Sequence, residues 1–237
     1  MTARRGARKV AIALVLALGL TGCGKSQSFH YKLTLEVDKQ DGGVASGSSV
    51  SEIGCHESAL VKAVFPESGG VSGWMTGEAV YVDLGPGRPP LVALQATDLH
   101  RDKKDELWRG YYGGPRLDLL SQLFGQGRSD SICAMVEKLA AAQGPRELPR
   151  ERLPDLVTFG DVNDPRSVIE VDPHDLGATL GGNVLLRKAT IEITREPVTE
   201  TIVQRLPWVK TMDPYRDKSE AGRNPVYRKI SPWDFKR

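Results

Sequence analysis

Seven consecutive residues, Tyr31-Lys32-Leu33-Thr34-Leu35-Glu36-Val37, alternate apolar and polar side chains without a break. Successive side chains of an extended strand point to opposite faces, so Tyr31, Leu33, Leu35 and Val37 share one face, and that face has to be covered. A chain carrying such a strand near its start is committed to a sheet with a buried side. Asp41-Gly42-Gly43 supplies residues that tolerate positive φ, and residues 44–53, rich in Ser and Val, return as the hairpin partner.

Residues 60–65 form a short apolar run that reads equally as strand or helix, ended by Pro66 and Gly69-Gly70. Residues 75–84 predict a strand with Ala79, Tyr81 and Asp83 on one face and Val80, Val82 and Leu84 on the other. A Gly/Pro turn at 85–90 follows, and residues 91–96 return. Beyond a charged surface segment at 100–106, Leu117, Leu119, Leu120, Leu123 and Phe124 predict one short helix. Residues 131–143 predict a second, with Ile132, Met135, Val136, Leu139 and Ala140 at helical spacing and Gly144-Pro145 as its stop.

Residues 156–159 and 168–171 read as short strands bounded by Asp164-Pro165 and Asp172-Pro173. Residues 185–194 read as a long strand whose imperfect alternation puts it half-buried or at an edge, and residues 199–208 as a short helix. From Lys210 the chain turns polar, with eight basic and four acidic residues, and Tyr215, Tyr227, Trp233 and Phe235 stand as anchors for an ordered tail. This order predicts a mainly β fold with an α insertion (α+β), built as an antiparallel sheet or two-sheet sandwich. One domain covers residues 29–208, with the helical insertion near 98–148 and a C-terminal tail over 209–237.

The start of the chain carries an address. Arg4, Arg5, Arg8 and Lys9 form a cationic head, and residues 10–20 are an apolar run too short for the roughly 30 Å core of a bilayer. Leu20-Thr21-Gly22-Cys23 follows, and this combination resembles the lipobox signal of bacterial lipoproteins. The resemblance implies that residues 1–22 are removed and that Cys23 becomes the lipidated first residue of the mature chain, with residues 23–28 as a flexible tether. Arg4-Arg5 lacks the apolar pair of a twin-arginine signal, and an ordinary secretory signal is the competing reading. In lipoproteins Gly24, where Asp would retain the protein, is compatible with transfer to an outer membrane, which implies a cell-envelope location facing the periplasm.

Lipidation of Cys23 leaves Cys55 and Cys133 as an even pair in an oxidising compartment, where a disulfide is expected; two separate buried thiols are the alternative. The chain holds 32 basic and 30 acidic residues, and the four basic residues of the leader reduce this to 28 against 30. That balance points away from a nucleic-acid partner.

Tyr31 to Val37, Gly47-Ser48-Ser49-Val50, residues 77–85, Asn163-Asp164-Pro165, Val171-Asp172-Pro173 and Leu206-Pro207-Trp208 together resemble a family of uncharacterised proteobacterial proteins. The likeness spans most of residues 31–208. It implies one continuous domain and transfers no catalytic residue.

Candidate chemistry is sparse. Asp161, Asn163, Asp164, Asp172 and Asp175 gather oxygen ligands suited to a hard cation, but Arg166 stands where an EF-hand loop needs glycine, and the same residues build turns. His56-Glu57 meets Leu60 where a zinc-protease helix needs its second histidine. Cys55-His56 with Cys133 has no further histidine at ligand spacing. Gly70-Val71-Ser72-Gly73 misses the nucleophile-elbow spacing, and Ser48 and Ser49 read as exposed strand positions. No cofactor is implied. The sequence favours a non-enzymatic, lipid-anchored envelope protein that binds another envelope component or a phage-related or surface partner, with a periplasmic hydrolase assembled from distant residues as the alternative.

Overall fold

The computed structural model describes residues 24–95, 99, 114–127, 129, 131–216 and 224–237. Residues 1–22, Cys23 and the charged segment at 100–106 lie outside the described residues, and with them the expected signal and lipidation site. The alternating segment is the centre of β1 (Lys25–Asp38), which pairs antiparallel with β2 (Val44–Glu57) from Lys25↔Glu57 to Asp38↔Val44. Gly42, at φ 80°, and the Asp41 carboxylate, accepting from the Gly43 N–H at 2.9 Å, shape the expected turn. At about 3.3 Å per residue this hairpin is about 43 Å long.

The fold is mainly antiparallel β in two sheets with several helices, forming a single domain. The larger sheet has the order β3-β2-β1-β9-β6, adding β3 (Val71–Thr76), β9 (Leu185–Thr194) and the two-residue β6 (Arg146–Glu147). The smaller sheet runs β4-β5-β7-β8 through Val80–Val82, Leu91–Ala93, Leu156–Phe159 and Val168–Val171. Phe29, Tyr31, Leu33, Leu35 and Val37 face a core shared with Leu91, Leu156 and Val171 of the smaller sheet. Val92, Val157, Phe159 and Val168 point the other way, into a second apolar cluster. Strands β5 and β7 at the centre of the smaller sheet are thus buried on both faces, which explains their short and mostly apolar sequences.

The described helices are α1 (Ala59–Val64), α2 (Leu117–Leu123), α3 (Ile132–Ala140), α4 (Leu176–Leu180), α5 (Ile202–Arg205) and α6 (Pro225–Lys229). Helix α1 resolves the ambiguous run at 60–65. Helix α3 buries Cys133, Val136 and Leu139 and lies over β1 and β2. Strand β9 is half-buried as expected, between long β1 and short β6.

Four expectations change. Residues 75–84 are two strands, because Gly77 carries the chain from the larger sheet to the smaller at φ 156°. Ser49 is buried, since it faces the smaller sheet, whereas Ser48 is exposed. The polar run after Cys23 is no free tether: Lys25 to Ser28 pair with Glu57 to Gly54 and extend the hairpin. The core also continues past residue 208, because the outer face of the smaller sheet needs a cover. Ile202, Leu206, Val209, Met212, Ile230 and Phe235 provide it.

Phe235 and Ile230 are fully enclosed, and Trp208 packs edge-on against both Phe159 and Phe235 with ring centroids 5.5 and 5.0 Å apart. Emptying that site removes apolar transfer energy and leaves a cavity. Phe235→Ala is expected to lower stability by about 3–5 kcal/mol in urea denaturation, while Trp233→Ala, at a half-exposed ring packed edge-on against exposed Tyr215, stays within about 1 kcal/mol. Equal losses for the two variants would contradict this placement of the C-terminal segment.

Candidate functional site

The structure places the sequence-derived candidates in separate regions. At the crossover between sheets, the inward row of β2 is Ala45, Gly47, Ser49 and Ser51, small residues that let the smaller sheet come close. A Cβ on Gly47 would lie 2.2 Å from the Tyr81 carbonyl oxygen, and one on Gly77 would lie 2.1 Å from Ser51 Oγ. Ser49 Oγ donates to the Glu78 carbonyl at 2.7 Å, and Gln95 Nε2 donates to the same carbonyl and to Ser51 Oγ. The Glu78 carboxylate, itself buried, accepts from the Thr201 N–H and hydroxyl, both at 2.8 Å, and from the Ile202 N–H at 2.9 Å. It thereby satisfies donors at the start of α5.

Tyr31 projects from β1 into this polar cluster beside Ser51. Burial pushes its hydroxyl well above the ordinary tyrosine value, and the hydrogen bond with Ser51 offsets only part of that. Gln95 Oε1 is buried without a partner among the described residues, and Gln95 borders a cavity of about 10 Å³. That space matches one water molecule, so the cluster is internal structure and has no room for a larger ligand. Glu78 and Gln95 were missed from sequence; the one available signal was Gly77-Glu78 interrupting an apolar run.

Cys55 and Cys133 are joined, with their Cα atoms 5.5 Å apart and 78 residues of separation. The bridge fastens the far end of the hairpin to the first turn of α3. Around it, Ser131 Oγ donates to Glu57 Oε1 at 3.0 Å, and the Gln27 amide, in the orientation that satisfies both neighbours, donates to the Cys133 carbonyl at 3.1 Å and accepts from the Lys25 ammonium at 2.7 Å. Ser26 Oγ and His56 Nδ1 are hydrogen-bonded at 2.9 Å. This end of the sheet adjoins Gly24 and, one residue earlier, the candidate lipidation site Cys23, which lies outside the described residues.

The acidic run builds turns. Asp161 Oδ1 accepts from the Asn163 N–H, Asp164 from the Arg166 N–H, Asp172 from the His174 N–H and Asp175 from the Ala178 N–H. The Arg166 side chain, with that backbone N–H, also holds the Asp164 carboxyl below its ordinary range. Among the described residues no group of three or more His, Cys, Asp or Glu is placed to hold a metal ion. Asp161, Asn163 and Asp164 instead line an open groove of about 640 Å³ with Trp208, Arg216 and Tyr227. Arg216 lies over the Tyr227 ring at 4.4 Å and donates to the Tyr227 and Ile230 carbonyls at 2.8 Å. The groove presents aromatic, carboxylate and guanidinium groups together.

No family model, no curated protein and no solved structure matches the chain.

Two outcomes follow from the buried groups. Cys55→Ser/Cys133→Ser is expected to lose about 4 kcal/mol in urea denaturation, because the bridge closes a long loop; reductant is expected to bring the wild type to the same midpoint. Tyr31 predicts an alkaline limb. Above pH about 10 the unfolded chain releases this tyrosine proton while the folded chain keeps it, so stability is full below that pH and falls above it. Tyr31→Phe is expected to make the loss above pH 10 shallower, with Tyr81, also raised by burial, supplying part of the remainder. Parallel alkaline limbs for Tyr31→Phe and wild type would contradict the assignment.

Proposed function

We propose that the protein is a lipid-anchored component of a bacterial cell envelope, held through Cys23, whose β-rich domain faces the periplasm as a binding module for another envelope component. The observation that carries this reading is the position of Leu20-Thr21-Gly22-Cys23 directly before Gly24 and the first residue of β1, Lys25. The Cys55–Cys133 bridge supports an oxidising compartment. Among the described residues no helix is long and apolar enough to cross a membrane. Acyl chains contribute about 0.8 kcal/mol per buried methylene, so two or three on one cysteine suffice for stable attachment.

Two backbone steps from Cys23 to Lys25 span at most about 7 Å, so the anchor holds the disulfide end of the domain against the bilayer. The groove beside Trp208 is the surface offered to a partner. Cells fed labelled palmitate are expected to label the wild type, whereas Cys23→Ser stays unlabelled and unprocessed. Undiminished label on the variant would overturn the anchor. A photo-crosslinking residue at the exposed position of Arg166, on the groove rim, is expected to capture one discrete envelope component in intact cells, and its failure to do so would remove the groove as the binding surface.

A further inference from the structure

Helix α1 is a run of apolar residues, Ala-Leu-Val-Lys-Ala-Val, broken by one lysine, yet none of its residues is buried. Leu60 is 72 %, Val61 43 % and Val64 60 % exposed, and Phe65 directly after it is 56 % exposed. Leu60 with Val64, and Val61 with Phe65, are four residues apart and lie one turn above the other, so the four side chains form one stripe on the helix. Among the described residues, Val44, Ile169 and Leu185 stand exposed singly along the chain, and Tyr215 and Trp233 form one exposed ring pair, so the four residues at α1 are the longest exposed apolar run. Contiguous exposed apolar residues mark an interaction surface.

The place of α1 selects the occupant. It follows Glu57, which pairs with Lys25, and leads back to β3, where Val71 pairs with the same Glu57. Gly24 is so close that a Cβ there would lie 2.2 Å from His56 Cε1 and 2.5 Å from the Glu57 carbonyl oxygen. Helix α1 therefore stands at the same end of the hairpin as Gly24, the residue that follows Cys23 in sequence, about 43 Å from the turn at the other end. The segment is also fixed in shape. Ser58 Oγ accepts from the Val61 N–H at 3.2 Å, and the Ser58 N–H donates to the Gly70 carbonyl at 2.8 Å.

We propose that α1 is a second membrane contact, its Leu60, Val61 and Val64 stripe bedding into the boundary between headgroups and acyl chains beside lipidated Cys23. This inference rests on the lipid-anchor reading for the nearness of the bilayer. A helix of six residues is too small to hold a domain at a membrane alone, but the adjoining anchor turns its insertion into an intramolecular step with a high effective concentration. Lys62 is the one charge on α1, and Lys25, Glu57 and Glu67 flank it with mixed sign. The contact is therefore apolar in origin and depends little on anionic lipid.

The full chain is expressed in cells with a photo-crosslinking amino acid at position 60 or 64, and in a control at Val44, an exposed apolar residue at the opposite end of the hairpin. The mature protein is analysed by intact mass for acylation at Cys23, and by mass spectrometry for adducts, with retention of the Cys55–Cys133 bridge as the check of folding. Phospholipid adducts at 60 and 64 but not at 44 are expected, falling about tenfold at position 64 when Leu60→Glu removes one buried side chain. Acylated protein without lipid adducts at 60 and 64, or with adducts there to a second copy or another protein, overturns the membrane contact and leaves the anchor intact. Lipid adducts on protein that carries no acyl group support the contact and overturn the anchor. Absence of both overturns both.

Discussion

The close approach of the two sheets at the Gly77-Glu78 crossover organises the molecule. Placing a carboxylate there costs several kcal/mol of desolvation, and three hydrogen bonds to Glu78 from Thr201 and Ile202 offset it. The same residue's carbonyl receives Ser49 and Gln95 from opposite sides. Its neighbours close the C-terminus: Gly77 exchanges two backbone hydrogen bonds with Arg237, and the Ala79 N–H donates to Phe235. Residues from β2, the loop after β5, α5 and the last residues of the chain therefore meet at one peptide segment. A change there leaves buried donors on α5 and the sheet seam without acceptors at once, so its cost spreads across both cores.

The fold is fastened twice, by different means. The crossover is a desolvated hydrogen-bond network in the middle of the chain, whereas the end of the hairpin near Cys23 relies on the covalent link from Cys55 to α3. The surface ion pair of Lys25 with Glu137 at 3.6 Å, both largely exposed, adds little there. A strand end that would otherwise fray in water is held by a bond that fraying does not break. This suits the one place where the lipid anchor would transmit motion of the membrane into the domain.

Local periodicity made the β1–β2 hairpin, helix α3 and the pair β7–β8 legible, because each has a pattern set by which face is buried. The disulfide pairing was also legible, by elimination of Cys23. Longer-range decisions were not. Ser49 and Ser51 look like solvent-facing strand residues until β4 is known to press against them, and Lys-Ser-Gln-Ser has the composition of a linker until β2 proves long enough to pair with it. The break at Gly77 had a visible marker, a glycine before a lone glutamate, but its meaning depends on a second sheet. Phe235 is legible as an anchor of an ordered tail and is buried, but Ile230 carries no such signal, and the outer face of the smaller sheet that both cover is known only from the fold. For the acidic run, turn-building and calcium binding begin from the same residue types; the backbone N–H groups taken up by Asp161, Asp164, Asp172 and Asp175 show the turn-building use, which the sequence already offered.

The loss of the tether changes what the anchor does mechanically. A flexible leader of six residues would let the domain tumble above the membrane, with every face presented in turn. Pairing from Lys25 leaves two backbone steps, so a lipid on Cys23 restrains the approach of one particular end. Contact through α1 would add a second point beside the first, and two points restrict tilt where one does not. With both contacts at one end, the long axis of the hairpin would lead away from the bilayer, and the Asp41-Gly42-Gly43 turn would stand up to about 40 Å out. Orientation would then come from the strand register itself, because the register that pairs Lys25 with Glu57 is what brings α1 and the lipidated residue to the same end.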